Sequence, residues 1–224
     1  MTAKKRLPRR ERIVEVLKRL ARETRKGSYQ DAPVYAGPFS HRTSPFMELV
    51  SCLVSQRVRD EQTTAVCRKI FAVATTPEEL RALPTRRLER MLYGAGFYRQ
   101  KARTLRALSQ AVIDFGGVPD TREGLEALPG IGPKCANLIL AHCFGKPAVA
   151  VDTHVHRISN RLDWVRTKTP EKTEKTLTPL VPTRWRARVN ILLVAHGQLV
   201  CRPIGPKCDD CTIIALCPQR GIRR

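Results

Sequence analysis

Apolar residues recur at the spacing of an α-helix along most of the chain. From residue 9 to residue 26 they form the i, i+3, i+4, i+7 stripe that one face of a helix buries, with Ile13, Val16, Leu17 and Leu20. Similar stripes run through residues 46–54, 66–71, 102–113 and 183–200. No segment alternates apolar and polar residues as a half-buried strand does. The pattern predicts an all-α protein of about ten short helices.

Helix start signals divide these stripes. Thr76-Pro77-Glu78-Glu79 combines an N-cap, a proline at the first helical position and a capping-box glutamate. Asp120 with Glu123 predicts a second capping box, and Asp152 predicts an N-cap. Residues 28–45 contain three prolines and are expected to form a loop at a domain boundary. Residues 1–8 are expected to form a basic arm.

The net charge of the chain indicates the kind of partner it binds. The 224 residues include 41 Lys and Arg against 20 Asp and Glu, a net charge of +21. Such an excess repels itself unless a polyanion screens it, and nucleic acid is favoured over an anionic membrane surface. The apolar content of 42% excludes disorder for most of the chain. No apolar run approaches the ~20 residues of a membrane span, so no membrane partner is expected.

Cysteine usage points to a metal centre. The first 20 residues are basic but lack the apolar core of a signal peptide, so we expect a cytoplasmic protein with reduced thiols. Four of the eight cysteines cluster near the C-terminus as Cys201-x6-Cys208-x2-Cys211-x5-Cys217. Four thiolates suit zinc or an iron–sulfur cluster, and the uneven spacers favour the cluster. The others, Cys52, Cys67, Cys135 and Cys143, are expected in the core.

The cysteine segment also contains two cations. Arg202 and Lys207 lie between the first and second clustered cysteines. A bound metal centre would hold this loop rigid and present both side chains to phosphates, which is a structural rather than a redox task.

A second motif is the hairpin Leu128-Pro129-Gly130-Ile131-Gly132-Pro133-Lys134 between two helical stripes. Gly130 and Gly132 permit positive φ and close backbone approach. Their N–H groups and the next helix N-terminus would form a pocket for a DNA backbone phosphate, with Ile131 between them. The alternative is an ordinary turn between two helices.

Lys134 and Asp152 are candidate catalytic residues. Lys134 falls in the first turn of a helix, where the positive dipole and partial desolvation favour the neutral amine. A neutral amine is a nucleophile that can form a Schiff base. The plainer alternatives are a phosphate contact for Lys134 and a helix cap for Asp152.

The hairpin, Lys134, the segment Val151-Asp152-Thr153-His154 and the four-cysteine loop resemble the endonuclease III family in order and spacing. This family belongs to the helix–hairpin–helix DNA glycosylase superfamily. The resemblance covers about residues 46–217, and it includes Ser55, Asp60 and the run from Gly96 to Ala102.

The resemblance implies a two-lobed fold with a cleft that binds damaged or abasic double-stranded DNA. One lobe is a six-helix barrel domain over residues 36–147, and residues 1–35 with 148–224 form an iron–sulfur domain. A 4Fe–4S cluster is expected on the four C-terminal cysteines. The damaged pyrimidine is flipped out of the duplex, Lys134 is the nucleophile and Asp152 the catalytic carboxylate. We expect a monomer, at the nucleoid if the source is prokaryotic.

The implied activity is that of a bifunctional DNA glycosylase and AP lyase on oxidised pyrimidines in base excision repair. The amine distinguishes a bifunctional from a monofunctional glycosylase, because a carboxylate alone activates only water and leaves an abasic site. The alternatives are a monofunctional mismatch glycosylase on thymine or uracil and a non-catalytic iron–sulfur DNA-binding module.

Four positions depart from the family pattern or have open roles. Arg57 stands where the family has the glutamine that fills the gap left by the flipped base, and Gln56 comes one place early, so either is expected there. Phe97 replaces the family's wedge leucine; its alternative is a core position. His154 is expected to orient Asp152 or to contact the DNA backbone.

Overall fold

The computed structural model describes residues 7–36 and 44–222, and within them it contains helices and no strand. This confirms the predicted all-α class, with twelve α-helices in the described residues where about ten were expected. They are α1 (Arg9–Arg25), α2 (Pro33–Ala36), α3 (Pro45–Ser55), α4 (Asp60–Phe71), α5 (Pro77–Ala82), α6 (Thr85–Leu92), α7 (Tyr98–Asp114), α8 (Arg122–Glu126), α9 (Pro133–His142), α10 (Thr153–Arg161), α11 (Pro170–Leu177) and α12 (Thr183–Leu199), followed by a 3₁₀ turn at Ile214–Leu216.

The segment expected to be a loop, residues 28–45, contains the short helix α2. A proline at its first position suits a helix start, which the loop prediction overlooked. Residues 37–43 of that segment and residues 1–6 of the expected basic arm lie outside the described residues.

The chain divides into two compact units. The hairpin unit is Pro33–Lys146, and the cysteine-loop unit comprises the chain up to Ala32 and from Pro147 onward. In the cysteine-loop unit α12 packs on α1 and α10, and α11 packs on α10. Its core includes the fully buried side chains of Trp164, Ile13 and Leu17.

The hairpin unit is built around α3 and α7. Helix α7 packs against α3, α5 and α6, while α3 also packs against α4 and α9 and α8 packs against α9. Leu49 and Leu53 of α3 and Leu105 and Leu108 of α7 are buried between these helices. This packing fixes the ends of α3, α7 and α9, which carry the candidate residues of this unit.

The predicted capping box at α5 is confirmed. The Thr76 hydroxyl accepts from the Glu79 N–H at 3.2 Å, and Glu79 Oε2 accepts from the Thr76 N–H at 3.2 Å. The capping box predicted at Asp120 is wrong by one residue, because Thr121 caps α8 by accepting from the Gly124 N–H. The Asp120 carboxylate instead pairs with Lys146 at 2.8 Å.

Three of the four scattered cysteines lie in the core, as expected, and Cys143 does not. Cys52, Cys67 and Cys135 are buried, and burial raises the pKa of the Cys67 thiol to about 11. Cys143 is half-buried, and its Sγ donates to Glu48 Oε2 at 3.1 Å. In the part of the chain that the structure describes, no helix is long and apolar enough to cross a membrane.

Asp163 gives a pH-dependent test of the cysteine-loop unit. Its Oδ1 accepts from Arg166 Nε and from Arg220 Nη1, each at 2.9 Å. These two hydrogen bonds lower the pKa of Asp163 to about 2, below the about 3.9 of an unfolded chain. The carboxylate therefore stabilises the fold above the unfolded value, and this contribution is lost as pH falls towards the folded value.

We expect Asp163→Asn to lower the free energy of unfolding at neutral pH. Asparagine also suits the left-handed backbone at this position, where φ is 53°. The difference between wild type and variant should shrink as pH falls from about 4 to about 2. Denaturant titrations across this range check it, and a difference that does not change with pH would refute the ion pair's contribution.

Candidate functional site

The hairpin between α8 and α9 depends on Gly130. Its φ is +80°, and a Cβ there would lie 2.7 Å from Thr104 Cγ2 and 3.1 Å from Leu53 Cδ1. Gly132 differs, since its φ of −107° is ordinary and a Cβ would meet nothing within 4 Å. The expectation of positive φ is therefore confirmed at Gly130 and wrong at Gly132. The space beside Gly132 is open for a ligand.

The N–H groups of the hairpin do not share one role. Ile131 donates its N–H to the Leu128 carbonyl at 3.1 Å, and its side chain is only 6% exposed. Ile131 therefore stabilises the turn, and we correct the expectation that it contacts a phosphate. Among the described residues, the Gly130 N–H has no backbone acceptor, whereas the Gly132 N–H donates to the Cys135 thiol. The Gly130 N–H and the start of α9 are therefore the candidate anion-binding groups of the hairpin.

Lys134 is the second residue of α9, directly after Pro133, and its side chain is half-buried. This places the amine in the first helical turn, as expected, near the positive end of the helix dipole. The charge of Lys134 also affects the pKa of the next residue, Cys135. A hydrogen bond from Cys52 and the charge of Lys134 lower the pKa of Cys135 to about 7, although burial opposes this.

Asp152 is the N-cap of α10, which confirms the helix cap predicted from the sequence. Its Oδ1 accepts from the Val155 N–H at 2.8 Å, and the side chain is half-buried. One carboxylate oxygen thus fixes the helix start, which orients the whole group. Lys134 belongs to the hairpin unit and Asp152 to the cysteine-loop unit.

His154 contacts an arginine. Arg157 Nη2 donates to His154 Nδ1 at 3.1 Å. Because a guanidinium only donates, Nδ1 is the acceptor nitrogen of the ring. The contact fixes the orientation of the His154 ring in the first turn of α10.

Gln56, Arg57 and Phe97 lie together at the ends of α3 and α7. Gln56 Nε2 donates to the Gly130 carbonyl at 2.9 Å, which ties the end of α3 to the hairpin. The Arg57 guanidinium lies 5.7 Å from the centre of the Phe97 ring. Phe97 is 62% exposed, so its alternative as a core residue is wrong.

The four clustered cysteines share one pocket in the cysteine-loop unit. The pocket is also lined by Ile158, Leu162 and Ile213. No three His, Cys, Asp or Glu side chains of the described residues are grouped to hold a single metal ion. Four thiols that line one pocket without converging on one point are a donor set that suits an iron–sulfur cluster.

One buried and one half-buried arginine hold the cysteine loop, and the sequence analysis predicted neither. Arg161, only 9% exposed, donates from Nη1 to the Arg202 carbonyl at 2.6 Å and to Cys201 Sγ at 3.3 Å. Arg157 Nη2 donates to the Cys201 carbonyl at 2.9 Å. Arg157 and Arg161 are four residues apart, on the face of α10 that buries Ile158. This spacing is the sequence feature that could have indicated their shared role.

The loop they hold displays the expected cations. Arg202 and Lys207 are both exposed, and both donate their backbone N–H to the Val200 carbonyl, at 2.9 and 3.0 Å. The backbone is thereby fixed while the charged ends remain in solvent.

Comparison with known proteins gives consistent matches. A profile described as HhH-GPD superfamily base excision DNA repair protein matches residues 50–183. The chain is 45% identical over 177 residues to endonuclease III of Thermotoga maritima, covering 78% of this chain and 83% of that protein. It is 37% identical over 205 residues to endonuclease III-like protein 1 of Mus musculus, covering 85% of this chain and 68% of that protein.

The structural comparison covers nearly the whole chain. The structure of a trapped endonuclease III–DNA covalent intermediate matches with a TM-score of 0.81 at 31% identity, covering 94% of this chain and 96% of that one. At this coverage the structural similarity extends into both compact units.

The two hairpin glycines should respond differently to alanine. Gly130→Ala should destabilise the protein by about 2 kcal/mol or more, because it combines an unfavourable φ with a steric clash. Gly132→Ala should change the unfolding free energy by less than about 1 kcal/mol. Chemical denaturation of both variants measures this, and equal losses would contradict the distinction.

Proposed function

The chain belongs to the endonuclease III family of the HhH-GPD superfamily, and from this we propose that it is a bifunctional DNA glycosylase and AP lyase that excises oxidised pyrimidines in base excision repair. The observation that carries the proposal is Lys134 in the first turn of α9, directly after the glycine hairpin. The structural relative trapped as a covalent DNA intermediate supports an enzyme that bonds to its substrate.

Lys134 supplies the nucleophile. Its neutral amine attacks C1′ of the flipped nucleotide, and a C–N bond forms as the bond to the base breaks. The sugar ring opens and leaves a Schiff base between Lys134 and C1′. This positively charged imine acidifies the C2′ proton, whose loss expels the 3′ phosphate and cuts the strand by β-elimination.

Asp152 supplies the carboxylate. It accepts the proton that Lys134 must lose before attack, or it stabilises the positive charge that develops on the sugar as the base departs. The hydrogen bond from Val155 fixes the orientation of the group before substrate binds, so no reorganisation is needed at that moment.

DNA binding is assigned to the hairpin and the basic surface. The Gly130 N–H and the start of α9 suit a backbone phosphate, and the open space beside Gly132 lets the phosphate approach. Arg202 and Lys207 add charge from the cysteine loop. His154 remains a candidate backbone contact. The partner is double-stranded DNA with a damaged base or an abasic site, bound by a monomer in the cytoplasm.

We assign a 4Fe–4S cluster to Cys201, Cys208, Cys211 and Cys217. When bound, the cluster supplies four iron–thiolate bonds that fix the loop, and its task is structural. Arg161 places a positive charge beside Cys201, which offsets the negative charge of a thiolate-bound cluster. On this assignment the cysteine-loop unit is the iron–sulfur domain and the hairpin unit is the six-helix barrel domain.

The nucleophile is tested by borohydride trapping on a duplex that contains thymine glycol. Wild type should be trapped covalently, and Lys134→Gln should lose trapping and strand cleavage while it still binds the duplex. Lys69→Gln, an exposed lysine of α4, is the matched control and should behave as wild type.

Three results would contradict the proposed mechanism. Undiminished trapping of Lys134→Gln would exclude Lys134 as the nucleophile. An intact abasic strand as the sole wild-type product would instead indicate a monofunctional glycosylase, and no turnover on any lesion would indicate a non-catalytic module.

The cofactor is tested on protein purified without oxygen. We expect a broad absorbance near ~400 nm and about four irons per chain, both reduced in Cys208→Ser. Cys67→Ser, a buried cysteine of α4, is the control and should retain the iron. Stoichiometric zinc with no iron would overturn the assignment.

A further inference from the structure

Lys101 is a charged side chain buried in the hairpin unit. It lies on α7, is only 6% exposed, and burial lowers its pKa. Its Nζ donates to the Val54 carbonyl at 2.7 Å and to the Gln56 carbonyl at 2.8 Å. These carbonyls belong to the end of α3, where the helix dipole favours a cation and the last carbonyls need donors.

The same residue also holds the start of α7. The backbone N–H of Lys101 donates to the Phe97 carbonyl at 3.0 Å. Lys101 therefore contacts the residue before Arg57 through its side chain and Phe97 through its backbone. It joins two chain segments that are about 40 residues apart in sequence.

Both of the segments held in this way contain a residue in the left-handed region. Arg57 has a φ of 57° and Phe97 a φ of 58°, which L residues rarely adopt. Such conformations persist only where the surroundings impose them. The two side chains are exposed and contact each other as a cation–π pair. An exposed ring and a guanidinium in fixed positions are what a protein needs to enter a base stack.

Gln56 has a different contact. Its amide donates to the Gly130 carbonyl of the phosphate-binding hairpin, so it links the end of α3 to that hairpin. Gln56 is exposed like Arg57, but its amide is engaged by the hairpin, whereas the Arg57 guanidinium contacts Phe97. Gln56 and Lys101 thus fix the backbone on either side of the exposed pair.

Resting on the proposed function, we infer that Lys101 is a positioning residue that holds Arg57 and Phe97 as a two-part wedge for the DNA stack. Phe97 separates the bases beside the flipped nucleotide, and Arg57 fills the gap and donates to the edge of the unpaired base. Lys101 touches neither base nor sugar and acts through the wedge.

The test compares Lys101→Met with the exposed-lysine control Lys69→Met. Three quantities are measured: the melting temperature, the single-turnover rate on a thymine glycol duplex, and the fluorescence of 2-aminopurine placed opposite the lesion. Lys101→Met should slow excision about tenfold or more and lose the 2-aminopurine change on binding. Its affinity for the duplex should fall less than about threefold, because the hairpin phosphate contact remains. Lys69→Met should match wild type in all three.

Adding the same substitution to a protein without the wedge distinguishes a loss of wedge positioning from a general loss of stability. In an Arg57→Ala, Phe97→Ala protein, adding Lys101→Met should slow excision less than about twofold, while the drop in melting temperature stays the same as in wild type. If Lys101→Met slowed excision about tenfold in both backgrounds, its effect would not pass through the wedge and the inference would be overturned.

The inference stays testable if Lys101→Met does not fold. Arg57→Ala and Phe97→Ala change exposed side chains, and each should reduce the 2-aminopurine change and the rate; normal values in both would overturn the wedge. Lys101→Arg, which keeps a donor cation, should recover part of the rate. A wild type that excises no lesion would refute the proposed function, whereas the 2-aminopurine change on a duplex with an abasic analogue would still test the wedge.

Discussion

The reversal of the chain at Gly130 is the constraint on which the rest of the site depends. Only a residue without Cβ fits there, since its φ is positive and Thr104 and Leu53 occupy the space where a side chain would be. The turn sets the direction of α9 and so places Lys134 in its first turn. Among the described residues the Gly130 N–H has no backbone acceptor, so one turn provides both the proposed phosphate contact and the position of the proposed nucleophile.

In the cysteine-loop unit, the main constraint is how the segment after α12 is held in place. A long irregular segment after α12 must keep its cations in place without a sheet or a helix to support them. Arg161 and Arg157 bind its first carbonyls, and the four cysteines surround the space in which we place the cluster. These two arginines of α10 therefore connect the loop to the same helix that Asp152 caps. The order of this unit rests on charged groups held by backbone carbonyls as well as on apolar packing.

Local signals in the sequence were sufficient for most of the helices and for some of the nearest contacts. The capping box at Thr76 and the cap at Asp152 are each set by residues within four positions, so the sequence predicts them directly. Asp120 was mistaken for a cap because its neighbour Thr121 offers the same chemistry, and the competing partner Lys146 is distant in sequence. The contacts of Lys101, Arg157 and Arg161 could not be foreseen, because each joins segments about 40 residues apart that only the tertiary fold brings together.

The most direct measurement of the central claim is the mass of the peptide that carries the reduced DNA adduct. The trapped complex is digested with nuclease and protease, and the modified lysine is located by tandem mass spectrometry. The account predicts a single modified site, at Lys134, with a sugar remnant left on its amine. A remnant on another lysine or on the N-terminal amine, with Lys134 unmodified, would contradict the account.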